Sequence, residues 1–114
     1  MLACADLGVS LHYSSSGLDL PMKAVDMLGC ALPILSADFL CVRELIDDGK
    51  NGFLFENAEK LADLLILLLI DYPHSDFLNA IKRTCKNERK EKTGWVEAWD
   101  QISLPYIKRL IDNQ

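Results

Sequence analysis

The sequence lacks an apolar run long enough to cross a membrane. Its longest uninterrupted apolar stretch covers only residues 64–70, whereas a membrane-spanning helix needs about 20 apolar residues. No span is therefore predicted anywhere in the chain. Because residues 64–70 are apolar on every side of the expected helix, the pattern predicts that this segment is buried or meets another element.

Metal ligands and clustered basic residues are also scarce. The four cysteines contain no C-x-x-C pair, and His12 and His74 stand alone in the sequence. This usage predicts reduced cysteines, no metal site and no other cofactor. The formal net charge is −5. Binding to nucleic acid depends on clustered lysine and arginine, so no nucleic-acid partner is predicted.

The composition is that of one globular domain. Half of the 114 residues are hydrophobic and 25% are charged, which is typical of a chain that buries a core. Strands are predicted over residues 7–12, 32–36 and 53–55, and helices over 20–30, 41–46, 58–72, 76–90 and 95–111. This alternation predicts an α/β fold with a parallel sheet. Because three short strands are few, we expect residues 1–114 to be the C-terminal part of a larger domain, or a truncated copy of one.

Several helix ends are marked by single residues. Asn57 and Ser75 are expected to cap the helices that follow them, and Pro73 is expected to end the helix over 58–72. Gly94 breaks the pattern before the last helix, which Pro105 is expected to bend or interrupt.

The C-terminal third has two further features. Trp95 and Trp99 lie four residues apart and are expected to pack together on the core side. Residues 82–92 mix both signs of charge, which favours a solvated helix face. A weak contact with anionic lipid headgroups is the alternative.

Residues 14–17 form a serine-glycine loop before the helix over 20–30. Hydroxyls and unhindered backbone N–H groups at a helix N-terminus suit a diphosphate. Asp19, Lys23 and Asp26 are spaced so that they share one helical face. Lys23 can neutralise phosphate charge, and Asp26 can accept hydrogen bonds from a ribose diol.

A purely structural explanation of the same residues stays open. Asp19 or Ser16 can simply cap the helix, and Lys23 with Asp26 can form an ordinary surface pair. Glu44 fits either a sugar contact or a solvated surface position. Gly49 and Gly52 are better explained by the turn before residues 53–55 than by a ligand.

These residues resemble the C-terminal region of the chitobiosyldiphosphodolichol beta-mannosyltransferases, a family of GT-B glycosyltransferases. The resemblance rests on residues 5–9, 11–12, 14–26, 33, 43–45 and 51–52 and on the paired tryptophans. It implies a partial Rossmann-like, donor-binding domain with short parallel strands, flanking helices and a helical C-terminal tail.

The resemblance also implies roles for individual residues. Ser15, Ser16, Gly17 and Leu18 match the loop that binds the donor phosphates. Asp26 matches the ribose-binding acid, and Glu44 matches a later Glu-Leu motif. Asp19 is a poorer match to a sugar-contacting acid, Ala31 stands where glycine is common, and no residue qualifies as a catalytic base.

The function implied by the resemblance is transfer of mannose from GDP-mannose to dolichol diphosphate chitobiose at the cytosolic face of the endoplasmic reticulum. The acceptor would bind through a domain that this chain does not contain, so the chain alone is expected to be inactive. Two alternatives stay open. One is a truncated, non-catalytic homologue that docks on a full-length mannosyltransferase at the membrane, and the other is a GT-B enzyme with a different nucleotide sugar.

Overall fold

The computed structural model of the protein describes residues 1–91 and 95–113. Its strands are β1 (Gly8–Ser10), β2 (Ile34–Ala37) and β3 (Gly52–Phe55). Its α-helices are α1 (Met22–Gly29), α2 (Ala58–Leu69), α3 (Asp76–Glu91), α4 (Trp95–Ala98) and α5 (Leu104–Asp112). Two 3-10 helices span Leu2–Cys4 and Leu40–Glu44, and a π-helical turn spans Trp99–Ser103.

The three strands form one parallel sheet in the order β1-β2-β3. Gly8 and Gly52 both lie opposite Ile34, so β2 is the central strand. Ile34 and Leu35 are fully buried because helices cover both faces of this strand. The predicted α/β class is confirmed. Only the ends differ, since β1 is shorter than residues 7–12 and α1 is shorter than residues 20–30.

Two hydrophobic clusters lie on opposite faces of the sheet. On one face, Ile34 packs with Ala24 of α1 and with residues of the Leu40–Glu44 segment, including Val42. On the other face, Leu35 packs with Leu64 and Leu68 of α2 and with Leu78 of α3. Successive side chains of a strand point to opposite faces, so β2 and β3 each contribute to both clusters of this three-layer core.

The predicted caps of α2 and α3 are confirmed. The Asn57 Oδ1 atom accepts a hydrogen bond from the Lys60 N–H at 2.8 Å, and the Ser75 Oγ atom accepts one from the Leu78 N–H at 3.2 Å. α2 ends at Leu69, before the expected end at residue 72. Residues 41–46 were expected to form a short helix, which the structure places at Leu40–Glu44 as a 3-10 helix.

The C-terminal helix over 95–111 is interrupted, as Pro105 predicted. The π-helical turn Trp99–Ser103 separates α4 from α5, and Pro105 follows it in the first turn of α5. Proline has no N–H to donate and its ring crowds the preceding turn, so a locally wider turn relieves the clash. The predicted break at Gly94 lies outside the described residues.

One expectation about burial is wrong, and a second holds for only one side of its helix. Trp95 and Trp99 do stack, with ring centroids 6.4 Å apart, but they are 82% and 42% exposed and do not face the core. In the helix around residues 64–70, Leu64 and Leu68 are buried whereas Ile66 and Ile70 are exposed. α1 and α2–α3 already cover the sheet, so neither the tryptophans nor the outer side of α2 has a core surface left to meet. Among the described residues, no helix combines the length and apolar character needed to cross a bilayer.

α1 ends in a Schellman motif with an unusual residue. The Leu32 N–H donates to the Met27 carbonyl at 3.0 Å and the Ala31 N–H donates to the Leu28 carbonyl at 2.9 Å. Ala31 has φ of +56°, the left-handed conformation that glycine normally supplies at this position. A Cβ atom in this conformation is strained by about 1 kcal/mol.

We expect Ala31→Gly to stabilise the protein by roughly 0.5–1 kcal/mol, because relief of this strain outweighs the greater freedom of glycine in the unfolded chain. The urea midpoint should rise without a change in the slope of the unfolding curve. Ala62→Gly, at an exposed interior position of α2, is the control and should destabilise by about 1 kcal/mol. A fall in stability for both variants would contradict the strain argument.

The N-terminal segment is tied to α3 by charge. Lys82 and the Tyr72 hydroxyl each donate a hydrogen bond to the Asp6 carboxylate. Hydrogen bonds from Lys82 and Tyr72, together with the Lys82 charge, lower the pKa of Asp6 below its ordinary value near 3.8. The expectation that residues 82–92 form only a solvated face is therefore incomplete, because Lys82 is partly covered by this contact.

This lowered pKa gives a signed pH dependence. The stability that Asp6 contributes is present above its unfolded pKa and is lost as pH falls through its folded pKa. Asp6→Asn should therefore have a smaller free energy of unfolding than the parent at pH 7, and this difference should shrink as the pH falls below about 3.8. Urea unfolding across this range measures it, with the exposed Asp63→Asn as control. A gap that stays constant from pH 7 to acid would contradict the assignment.

Candidate functional site

An open groove lies where β1 leads into the serine-glycine loop and α1 begins. Its volume is about 670 Å³. It is lined by Val9, Ser10, Leu11, His12, Asp19, Leu20, Pro21, Met22, Lys23 and Met27. Carboxyl ends of parallel strands and helix N-termini meet at the same edge of an α/β sheet, which is where such folds bind ligands.

The loop over residues 14–18 is held by its own serine hydroxyls. The buried Ser14 Oγ atom accepts a hydrogen bond from the Gly17 N–H at 2.9 Å and lies 3.1 Å from the Ser16 Oγ atom. The Ser16 Oγ atom accepts a longer one, 3.3 Å, from the Leu18 N–H. Gly17 has φ of +70°, a left-handed conformation that closes the bend at no steric cost.

These contacts change the expected role of two backbone groups. The N–H groups of Gly17 and Leu18 were expected to be unhindered, yet each donates to a serine hydroxyl within the loop. A phosphate at this loop would have to take those donors over from Ser14 and Ser16. Short serine side chains compete for nearby N–H groups in this way in turns generally.

The expected single face of three charged residues is not formed. α1 begins at Met22 after the N-cap residue Pro21, so Asp19 precedes the helix and only Lys23 and Asp26 lie on it. No side chain caps α1, which also removes the capping role considered for Asp19 and Ser16. The ring of Pro21 disfavours a helical backbone at Leu20, so α1 does not extend back to Asp19.

Asp19 instead contacts a residue that the sequence did not single out. The His12 Nε2 atom lies 2.9 Å from the Asp19 Oδ2 atom, and both residues line the groove. The Ser14 hydroxyl, and after it the His12 ring, lower the pKa of the Asp19 carboxyl. The sequence could have suggested this pair by one pattern. A histidine follows a short strand, and a tight loop and then an acid come after it.

The remaining predicted residues lie in different places. Lys23 lines the groove, whereas Asp26 is exposed farther along α1 and is absent from the described lining. No ion pair joins these two described residues. Glu44 lines a separate cavity of about 680 Å³, beside α1 and α3, together with Arg89 and Trp95. The structure therefore brings Asp19 and Lys23 to one groove, but not Asp26 or Glu44. The predicted phosphate-loop residues Ser15, Ser16, Gly17 and Leu18 are likewise absent from the groove lining.

The glycines before β3 belong to a turn. Gly49 has φ of +86° and Gly52 packs directly against the backbone of Ile34. The buried Asn51 holds this turn, because its Nδ2 atom donates to the Leu45 carbonyl and to the Glu88 carboxylate, each at 3.1 Å. The structural explanation of these glycines is confirmed.

Residues 1–71 match the family model described as "Glycosyl transferases group 1". Curated relatives match nearly the whole chain. A protein of Dictyostelium discoideum named chitobiosyldiphosphodolichol beta-mannosyltransferase is 52% identical over 118 residues, covering 94% of this chain and 24% of its own length. The Homo sapiens protein of that name is 45% identical over 108 residues, covering 94% and 23%.

A third relative carries a different name. The UDP-glycosyltransferase TURAN of Arabidopsis thaliana is 45% identical over 112 residues, covering 97% of this chain and 24% of the relative. The chain thus spans about a quarter of the length of the curated relatives it matches. No solved structure matches it significantly. The family match covers every residue that lines the groove, and the chain belongs to the group 1 glycosyl transferases.

Proposed function

We propose that the protein is the donor-binding part of a mannosyltransferase that uses GDP-mannose and dolichol diphosphate chitobiose. The naming of its relatives in Dictyostelium and human supports the reaction class. The groove between β1 and α1 supports the donor site, because it is the concave surface at the strand ends and contains a lysine. The enzyme would act at the cytosolic face of the endoplasmic reticulum.

Each of the predicted site residues would contact a different part of the donor. The loop residues Ser15, Ser16, Gly17 and Leu18 would surround the diphosphate with hydroxyl and N–H donors. Lys23 and the first N–H groups of α1 would balance its charge, and that charge grows on the diphosphate as the sugar departs. Asp26 would accept hydrogen bonds from the ribose diol, and Glu44 would contact the sugar.

Contacts between the donor and Asp26 or Glu44 depend on how far the donor extends. Neither lines the groove among the described residues, so a donor that contacts them must extend beyond it along α1. We propose these two contacts on the resemblance and not on the geometry of the groove. No residue of the chain is proposed as the catalytic base.

The nucleotide is the part of the proposal that a binding experiment tests directly. GDP at a hundredfold excess over its Kd should raise the free energy of unfolding by about 2.7 kcal/mol. UDP at the same concentration should raise it less. Thermal unfolding of the 114-residue protein with GDP, UDP and guanosine measures this, and guanosine controls for the base without the phosphates.

The outcomes separate the alternatives. Equal shifts with GDP and UDP would exclude a guanosine preference and favour another nucleotide sugar, as the name of the Arabidopsis relative suggests for that protein. No shift with any nucleotide would refute donor binding by this chain.

A second candidate function is a non-catalytic module that docks on a full-length mannosyltransferase. The exposed apolar side chains of α2 and of the C-terminal helices favour it, among them Ile66, Ile70, Trp95, Ile102 and Ile111. Copurification with a full-length transferase, without turnover by this chain, would support it. Mannose transfer by the isolated chain would exclude it.

A further inference from the structure

We propose that His12, held by Asp19, is a ligand of the donor diphosphate and makes nucleotide binding depend on pH. The inference rests on the donor site proposed above. It adds a residue that neither the sequence pattern nor the relatives' names assign. The pair of His12 and Asp19 is the only ion pair lining this groove among the described residues.

Geometry leaves one ring nitrogen of His12 available. The Nε2 atom is 2.9 Å from the Asp19 carboxylate, which accepts a hydrogen bond and so keeps a proton on Nε2. No hydrogen bond within the described residues engages the Nδ1 atom. His12 is 43% exposed, so this second nitrogen can reach a ligand in the groove.

The ring is also fixed in orientation. The Phe39 ring, which is buried, packs edge to face against His12 with centroids 6.0 Å apart. Tyr13 contacts Phe39 in the same way. Contacts on the face and at Nε2 together restrict both torsions of His12, so the imidazole loses little conformational freedom when it binds a ligand.

Charge determines what this imidazole can bind. The charged and titratable side chains that line the groove are His12, Asp19 and Lys23, with Tyr13 beside Phe39 outside the lining. The Ser14 hydroxyl, and after it the His12 ring, lower the pKa of the Asp19 carboxyl, so a negative charge lies at the Nε2 side of the ring. A protonated His12 presents Nδ1–H in the groove that Lys23 also lines, and two cationic donors suit the oxygens of a nucleoside diphosphate.

The two His12 variants differ in which imidazole nitrogen they replace and in their charge. His12→Gln keeps an amide N–H near the position of Nε2, and so keeps the contact to Asp19, but it has no group at Nδ1 and no charge. His12→Arg keeps that contact and carries a positive charge at every pH used. His74→Gln is the matched control, because His74 is exposed in the segment between α2 and α3.

GDP and guanosine affinities of the 114-residue protein are measured by calorimetry at pH 5.5 and pH 8. We expect His12→Gln to bind GDP about tenfold more weakly than the parent at pH 5.5, since a charge-assisted hydrogen bond is absent, and to differ less from the parent at pH 8. Comparison at equal pH cancels the titration of the GDP phosphate itself. The GDP affinity of His12→Arg relative to the parent should be higher at pH 8 than at pH 5.5, because the arginine stays charged at both pH values. Guanosine affinity should be the same in all variants, and His74→Gln should match the parent.

Two results would overturn the inference while leaving the donor site in place. One is GDP binding by His12→Gln that equals the parent at both pH values. The other is an equal loss of GDP and guanosine affinity, which would mean that His12 only supports the loop. Failure of the parent protein to bind GDP would instead refute the proposed function.

Discussion

Gly52→Ala is expected to destabilise the folded protein severely. Gly52 is the β3 residue paired with Ile34, the fully buried residue at the start of the central strand. A Cβ atom at Gly52 would overlap the Ile34 carbonyl oxygen and would lie 3.2 Å from the Ile34 nitrogen and carbonyl carbon. The obstacle is the backbone of the central strand and not a movable side chain.

The expected cost follows from this. Relief requires β3 to move away from β2, which breaks the ladder and opens both hydrophobic clusters at once. We expect a loss of about 4 kcal/mol or more, against a total stability of about 5–15 kcal/mol for a domain of this size. Urea unfolding and the near-ultraviolet circular dichroism spectrum would report the loss of fixed tertiary packing.

Gly29→Ala is the matched control for that result. Gly29 is the last residue of α1, and a Cβ atom there would meet nothing within 4 Å. Alanine has the higher helix propensity, so this variant should equal the parent or be more stable by up to about 1 kcal/mol. If Gly52→Ala unfolded at the same midpoint as Gly29→Ala, the close approach of β3 to β2 would be wrong.

Local chemistry explains what the sequence predicted well. The caps at Asn57 and Ser75 each depend on one side chain and a backbone N–H three residues later, so tertiary contacts do not decide whether they form. The short strand predicted over residues 32–36 follows from an apolar run between two turn-forming segments. The π-helical turn before Pro105 follows from a missing N–H. Each of these features is decided within a few residues of the chain.

The features that the sequence predicted poorly depend on contacts between residues that are not neighbours in the chain. Trp95 and Trp99 were assigned to the core by their hydrophobicity, yet hydrophobicity does not say whether a core face is still vacant. Asp19 was placed on a helix by spacing alone, whereas Pro21 delays the start of α1. His12 contacts Asp19 only because the loop between them folds back. Helical or strand periodicity in the sequence does not predict such a loop conformation.

Lys23→Glu is expected to have the largest effect on nucleotide binding. Lys23 is in the first turn of α1 and lines the groove proposed for the diphosphate. The substitution removes one favourable charge and adds a repulsive one a few ångströms from phosphate oxygens. We expect GDP affinity to fall at least tenfold at low salt, about 1.4 kcal/mol. Because Lys23 is exposed, the loss should shrink when salt shortens the screening length.

Two further measurements separate this contact from general effects of charge and stability. Lys60→Glu makes the same change in net charge in the first turn of α2, and it should alter GDP affinity by less than about twofold because it is remote from the groove. An acid near a helix N-terminus is favourable to the helix dipole, so Lys23→Glu should unfold at the same urea concentration as the parent or a higher one. A weaker GDP affinity in a protein that is no less stable can then arise only from the groove. Equal losses for Lys23→Glu and Lys60→Glu would instead mean that the total charge of the chain governs binding, and that α1 does not face the phosphates.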